Sequence, residues 1–131
     1  MGMLKGKVAV VVGGGGIGGA SARRLAAAGA RVVIGDLDAG NAAAIAAQIT
    51  KAGGDAQGLR CDIAEEASVA ALVQAAVARY GGLDLMHVNA ADLRVIAQDS
   101  NAVDVDLGVF ERTLAVNLRG HLLCTRQAIP Q

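Results

Sequence analysis

The sequence predicts an α/β fold, a parallel sheet with helices on both faces. Two features of the chain predict it. Apolar runs bounded by glycine or aspartate, such as Val8–Val12 and Arg31–Asp36, recur and are each followed by a stretch of helical periodicity. These runs are continuous rather than alternating, which suits strands buried on both sides. Four alternations of strand and helix, joined by right-handed crossovers, leave few arrangements other than a doubly wound sheet. The expected strand order is 3-2-1-4, which opens a crevice between the first and fourth strands.

The first strand is Val8-Ala9-Val10-Val11-Val12, followed by the glycines 13 to 16, then Ile17, Gly18 and Gly19. Ala20 to Ala28 suits a helix that stops at Gly29. Strand, glycine turn and helix bring bare backbone against a phosphate. Glycine has no Cβ to block the approach, and the free N–H groups of a helix N-terminus attract negative charge. Gly13, Gly15 and Gly18 fit G-x-G-x-x-G, but Gly14, Gly16 and Gly19 fit it equally, so the spacing itself discriminates poorly. The flanking strand and helix favour a dinucleotide pocket over a flexible glycine linker.

Arg31–Asp36 reads as the second strand, and Asp38 caps a helix over Ala39–Lys51 with Ile45 and Ile49 on one face. A third strand near Ala56–Cys61 leads to Asp62. The next helix covers Glu65–Tyr80, with Val69, Leu72, Val73, Ala76 and Val77 at helical spacing. Gly81 and Gly82 end it, and Leu83–Val88 forms a fourth strand. Asn89 to Asp104 is loop-like. Asp106 then caps one long helix from Leu107 to about Ala128, with Phe110, Leu114, Leu118 and Leu122 along a stripe.

Several residues stand where chemistry is expected. Asp36 ends the second strand 18 residues beyond Gly18, about the offset at which an acid reaches the adenosine ribose. A carboxylate there accepts from a 2′-hydroxyl and repels a 2′-phosphate, favouring NAD over NADP. No Arg or Lys in the glycine turn or just after Asp36 reverses that preference. Asp62 either accepts from the adenine amino group or forms an Asx-type turn or cap with Glu65. Asn89 lies beside the cofactor or is an ordinary turn residue. Asn117 is unexpected so near the apolar stripe of a helix. His87 and His121 read as structural.

With 131 residues the chain is sized for one domain, 1–131, with one core. The 12 basic and 12 acidic residues balance without a long run of either sign, which argues against a nucleic-acid partner or an anionic membrane surface. Cys61 and Cys124 match no metal-ligand spacing and read as buried thiols of a reducing compartment. The start lacks a signal-peptide shape and no run is long enough to span a bilayer, so a cytoplasmic location is expected.

Taken together, Gly16-Ile17-Gly18, Asp36, Cys61-Asp62-Ile63, Tyr80-Gly81-Gly82-Leu83-Asp84, Asn89-Ala90-Ala91 and Val116-Asn117-Leu118-Arg119-Gly120 resemble the short-chain dehydrogenase/reductase family. The resemblance covers essentially the whole chain and implies a Rossmann-type sheet and NAD(P)-dependent hydride transfer on a small alcohol or ketone. It further implies that Gly13, Gly16, Ile17 and Gly18 line the pyrophosphate. Asp36 with Leu37 would hold the ribose, Asp62 and Ile63 the adenine, and Asn89, Ala90 and Ala91 the nicotinamide-side ribose. Asn117 would support the proton relay, and no metal is implied.

The chain departs from the family pattern in three places. Counting back from Gly18, the family's T-G-x-x-x-G-x-G puts Val11 and Val12 at its first two positions; either the loop is one residue shorter or a valine replaces a turn glycine. The family's N-N-A-G becomes Val88-Asn89-Ala90-Ala91. The catalytic Ser and Tyr-x-x-x-Lys have no counterpart, since the lone tyrosine, Tyr80, precedes Asp84 by four, and Lys5, Lys7 and Lys51 lie upstream. These departures lead to the expectation of a cofactor-binding half, cut before a fifth strand, inactive alone and prone to pair with itself as a homo-oligomer. A non-catalytic dinucleotide-binding or assembly module is the alternative, and an S-adenosylmethionine-dependent methyltransferase a third.

Overall fold

The computed structural model describes residues 2–131. Strands β1 (Val8–Val12), β2 (Arg31–Asp36), β3 (Ala56–Arg60) and β4 (Leu85–Val88) form one parallel sheet in the order β3-β2-β1-β4, as the sequence predicts. Helices α1 (Gly16–Ala27), α2 (Ala39–Lys51) and α3 (Glu66–Tyr80) connect them. After β4 a loop with a short 3-10 turn at Ile96–Gln98 leads to α4 (Leu107–Leu114), a π turn (Ala115–Arg119) and α5 (Gly120–Ala128).

All five residues of β1 are buried, and their side chains go alternately to two cores. Val8, Val10 and Val12 pack with Val69, Leu72 and Ala76 of α3 and with Leu123 and Cys124 of α5. Ala9 and Val11 pack with Ala22 of α1 and Ile45, Ala46 and Ile49 of α2. A valine taken fully out of water contributes about 1.5–3 kcal/mol, so this strand needs apolar groups on both faces. The sequence shows that as a continuous run.

The boundaries of α2 follow expectation, because the Asp38 carboxylate accepts from the backbone N–H groups of Gly40 (2.8 Å) and Asn41 (3.3 Å). Helix α3 starts one residue later than expected, with Glu65 at its N-cap, and ends at Gly81, whose φ of 86° suits glycine. β4 is shorter than predicted. Asp84 substitutes for a ladder residue, its carboxylate accepting from the Val8 N–H at 2.9 Å and from the Lys7 ammonium at 2.8 Å.

Two departures are larger. Helix α1 begins at Gly16, four residues before the expected Ala20. Glycine is a poor helix former, by about 1 kcal/mol against alanine. Here it is required, because a Cβ on Gly18 would collide with the Gly13 carbonyl and one on Gly19 would stand 2.5 Å from the Gly14 carbonyl oxygen. The predicted single helix from Leu107 to Ala128 is interrupted by the π turn, where the Gly120 N–H closes on the Ala115 carbonyl five residues back.

No helix among the described residues is long and apolar enough to cross a membrane. Helix α2 packs closely on β3, where a Cβ on Gly58 would run into the Ala42 backbone. Gly58→Ala is therefore expected to destabilise the protein by about 1–3 kcal/mol, the range for overpacking. A thermal melt followed by circular dichroism checks it, and an unchanged midpoint would show that α2 lifts off β3 freely.

Candidate functional site

The carboxyl ends of the four strands open into one cleft with two adjoining lobes of ≈ 270 and ≈ 500 Å³. The larger is lined by Gly15, Gly16, Ile17 and Asn89, the smaller by Cys61, Asp62, Ile63, Arg94, Arg112 and Val116, and Gly13, Asp36, Leu37, Ala90, Ala91 and Leu93 border both. A ligand at the switch point of a doubly wound sheet meets these strand ends first.

The glycine turn is two structures in one. β1 continues through Val12, buried within the strand, and the left-handed positions fall on Gly13 (φ 91°) and Gly16 (φ 46°). Val12 thus stands in the strand where the family pattern has a turn glycine, and Gly13 makes the turn. A Cβ on Gly13 would lie 2.7 Å from the Ala90 nitrogen, so the turn and the loop after β4 touch backbone to backbone. Around Gly15 and Gly16, by contrast, an added Cβ would meet no protein atom within 4 Å. The N-cap Gly15 offers no side-chain cap to the first turn of α1. Bare N–H groups at a helix N-terminus, facing open space, suit an anionic diphosphate. Gly18 borders neither lobe; it is buried under the turn, where it lets α1 close on Gly13. Its closeness to the Gly13 carbonyl places it directly beneath the turn that is expected to follow the pyrophosphate.

Asp36 lies on the same side of the sheet as this turn. Its Oδ2 accepts from the Gly14 N–H at 2.7 Å and from Asn41 Nδ2 at 3.0 Å, and its Oδ1 accepts from the Asp38 N–H at 2.9 Å. A carboxylate offers about four lone-pair sites, so these three bonds leave one on Oδ1 unused, and Asp36 borders both lobes. Asn41, in the first turn of α2, carries no signal in the sequence that marks it as Asp36's partner.

Asp62 forms an Asx turn and also borders the cleft, so the two readings are compatible. Its Oδ1 accepts from the Ala64 N–H at 3.0 Å, its own N–H donates to Ser68 Oγ at 3.0 Å, and its side chain still borders the smaller lobe. Asn89 holds the end of β4 by donating its N–H to the Val12 carbonyl at 2.8 Å. Asn117 sits in the π turn and borders neither lobe; its Oδ1 accepts from the Asp92 N–H at 3.1 Å.

Asp92 is the residue that sequence reasoning passed over. It was part of a polar loop, yet it is buried, its side chain only 3% exposed. The Arg94 guanidinium donates through Nε (2.9 Å) and Nη2 (2.8 Å), and Arg112 of α4 donates through Nε at 2.8 Å. The Arg94 and Arg112 guanidiniums together hold the Asp92 carboxyl well below the usual carboxylate range. An Asp two residues before an Arg was the only local signal, and Arg112 lies 20 residues away.

Burial pushes the Cys124 thiol up to about 12 and raises that of Cys61, so neither supplies a thiolate at neutral pH. Among the described residues no cluster of His, Cys, Asp or Glu is suited to a metal ion. Tyr80 is remote from the cleft, donating its hydroxyl to Asp55 at 2.7 Å near the start of β3.

A model of short chain dehydrogenases matches residues 7–131. The chain belongs to the short-chain dehydrogenase family. It is 46% identical over 132 residues to a probable short-chain type dehydrogenase/reductase of Bradyrhizobium diazoefficiens, covering 100% of this chain and 47% of that protein. It is 41% identical over 121 residues to D-threitol dehydrogenase of Mycolicibacterium smegmatis, covering 92% of this chain and 45% of the other. Among solved structures, a short-chain dehydrogenase/reductase from Serratia marcescens superposes with a TM-score of 0.89 at 35% identity, over 97% of this chain and 51% of its own. Hydroxysteroid dehydrogenase from Escherichia coli does so at 0.87 and 31%, over 97% and 52%. The chain therefore spans about half the length of the relatives it matches. The family is one of oxidoreductases acting on CH–OH groups.

The Asp92 cluster makes a stability prediction whose sign follows from the depressed carboxyl. Its contribution is present above the unfolded value of 3.8 and is lost as pH falls through the lower folded value. Asp92→Asn is expected to cost on the order of 2 kcal/mol at pH 7, less than a fully buried pair because both guanidiniums reach solvent. The gap between wild type and variant should narrow as pH drops below 3.8, measured by urea melts across pH.

Proposed function

We propose that this cleft binds a nicotinamide dinucleotide, and that the chain supplies the cofactor-binding part of an oxidoreductase acting on a small alcohol or ketone. One observation carries the reading. The open helix N-terminus at Gly15–Ile17 and the Asp36 carboxylate border a single cleft, and Asp36 is bonded directly to the turn through Gly14.

In this reading Gly13, Gly16, Ile17 and Gly18 lie along the pyrophosphate, Gly18 from beneath the turn. Asp36 and Leu37 take the adenosine ribose, Asp62 and Ile63 the adenine, and Asn89, Ala90 and Ala91 the ribose next to the nicotinamide. Bound there, the nicotinamide supplies hydride transfer. The protein's part is to bind, orient and exclude water, with Gly13 and Ala90 in backbone contact beneath the pocket. Asn117 acts in support, through the Asp92 N–H. NAD is preferred over NADP because Asp36 faces the ribose and the two guanidiniums of the cleft are engaged by Asp92. No group here transfers the hydroxyl proton: Tyr80 is at the other end of the sheet, and no lysine borders the cleft. The chain is then inactive by itself. Two buried free thiols fit a reducing, cytoplasmic setting.

The homo-oligomer expectation rests on the long helix. Phe110, Leu114, Leu118 and Leu122 are 49%, 40%, 66% and 59% exposed, and Glu111 and Arg119 flank them. Two copies crossing antiparallel near Ala115 would set Glu111 of each opposite Arg119 of the other. Leu118→Glu should convert a dimer to monomer in sedimentation with the melting temperature of the monomer fold retained; a wild-type monomer would refute the pairing.

Titration of the chain with NADH and NADPH, by the fluorescence of the reduced nicotinamide, tests the central reading. NADH should bind more tightly, and Asp36→Ala should lower its affinity roughly tenfold, about 1.4 kcal/mol, and erase the preference. Binding of S-adenosylmethionine with no binding of NADH would replace this reading with the methyltransferase one. NADH binding with no turnover after the rest of a family member is supplied would favour a non-catalytic module.

A further inference from the structure

The loop after β4 is fastened to the helix beyond it at three positions. Arg112 donates to the Asp92 carboxylate, Asn117 accepts from the Asp92 N–H, and His121 Nε2 lies 3.0 Å from the Ala90 carbonyl oxygen. That carbonyl can only accept, so Nε2 carries the hydrogen in this contact. Ala90 is in turn the residue against which Gly13 rests.

These three helix residues should not face one way. In an unbroken α-helix, five residues from Arg112 to Asn117 amount to about 140° beyond a full turn, and the nine to His121 leave it about 180° from Arg112. The π turn adds one residue between them, as the bond from the Gly120 N–H to the Ala115 carbonyl shows. Beyond the turn the helix has lost one α-helical position, so His121 stands about 80° rather than 180° from Arg112, while Asn117, inside the turn, reaches the same Asp92 that Arg112 holds. Asp92 is buried, so the grip is not a solvated surface pairing.

We propose that the π turn is a register device that brings Arg112, Asn117 and His121 onto one flank to clasp the shelf Asn89–Asp92, and that Arg112 and His121 are positioning residues for the dinucleotide. The inference rests on the dinucleotide reading above. The clasp sets how far the shelf stands from the glycine turn, and with it the width of the cleft. Preorganising that gap removes a cost that the ligand would otherwise meet on binding.

The test compares the full chain with Arg112→Gln, His121→Phe and His121→Gln, using NADH titration and amide hydrogen exchange of residues 89–92. Arg112→Gln and His121→Phe should weaken NADH roughly three- to tenfold and raise exchange at Asn89 and Asp92. His121→Gln keeps a donor for the Ala90 carbonyl and should restore most of both. Should Arg112→Gln fail to fold, the two His121 variants alone decide the matter. Unchanged affinity in the folded variants, or weakened affinity with unchanged exchange at the shelf, overturns the proposal. A wild-type protein that binds no NADH overturns the dinucleotide reading and the cofactor role with it. Raised exchange in that case would leave the clasp as architecture, and unchanged exchange would remove it too.

Discussion

Main chain packed on main chain at the first crossover is the contact on which the rest of this structure depends. Gly13 has no room for a Cβ against Ala90, and Gly18 has none against the Gly13 carbonyl. Close approach at both places draws α1 down onto β1 and draws the shelf after β4 against the turn. Strand ends, helix N-terminus and shelf then share one cleft. Asp36 holds the arrangement from the side, with its carboxylate on the Gly14 N–H. Any side chain at Gly13 or Gly18 would push apart layers that the two apolar cores pull together.

The cores and the cleft place different demands on neighbouring residues. Val8, Val10 and Val12 face one core and Ala9 and Val11 the other, which leaves β1 no polar position. The next residue, Gly13, already belongs to the cleft. A change from buried β-branched residues to bare backbone takes place within one peptide bond. In the same way β2 passes from Ile34, buried in the core, to Asp36, bonded to the turn, two residues later.

What the sequence made legible was local. The continuous valine run, the Asp38 cap and the glycine stops each act through neighbours in the chain, and strands, α2 and strand order follow from them. Asp36 was legible because its place at a strand end has a fixed offset from the turn. What escaped depends on partners far along the chain. Asp92 is buried only because Arg112, 20 residues on, comes to meet it. The early start of α1 runs against glycine's helix propensity and is repaid by contacts invisible in one dimension. The π turn leaves no periodic trace, since Leu114, Leu118 and Leu122 keep an even spacing through it. Asn117, odd as it looked in a helix, was the one visible sign of that interruption.

Tyr80 sits away from all of this, between the guanidiniums of Arg31 and Arg79 at 5.2 and 5.1 Å, with Asp55 on its hydroxyl. The chain has no tryptophan and this single tyrosine. Apart from the weak contribution of Phe110 on α4, its near-ultraviolet signal therefore originates at the amino end of the strands, where α3 meets β2 and β3. That optical window reports on the integrity of the sheet's far edge and is silent about the opposite end, where a bound chromophore would be seen against almost no background.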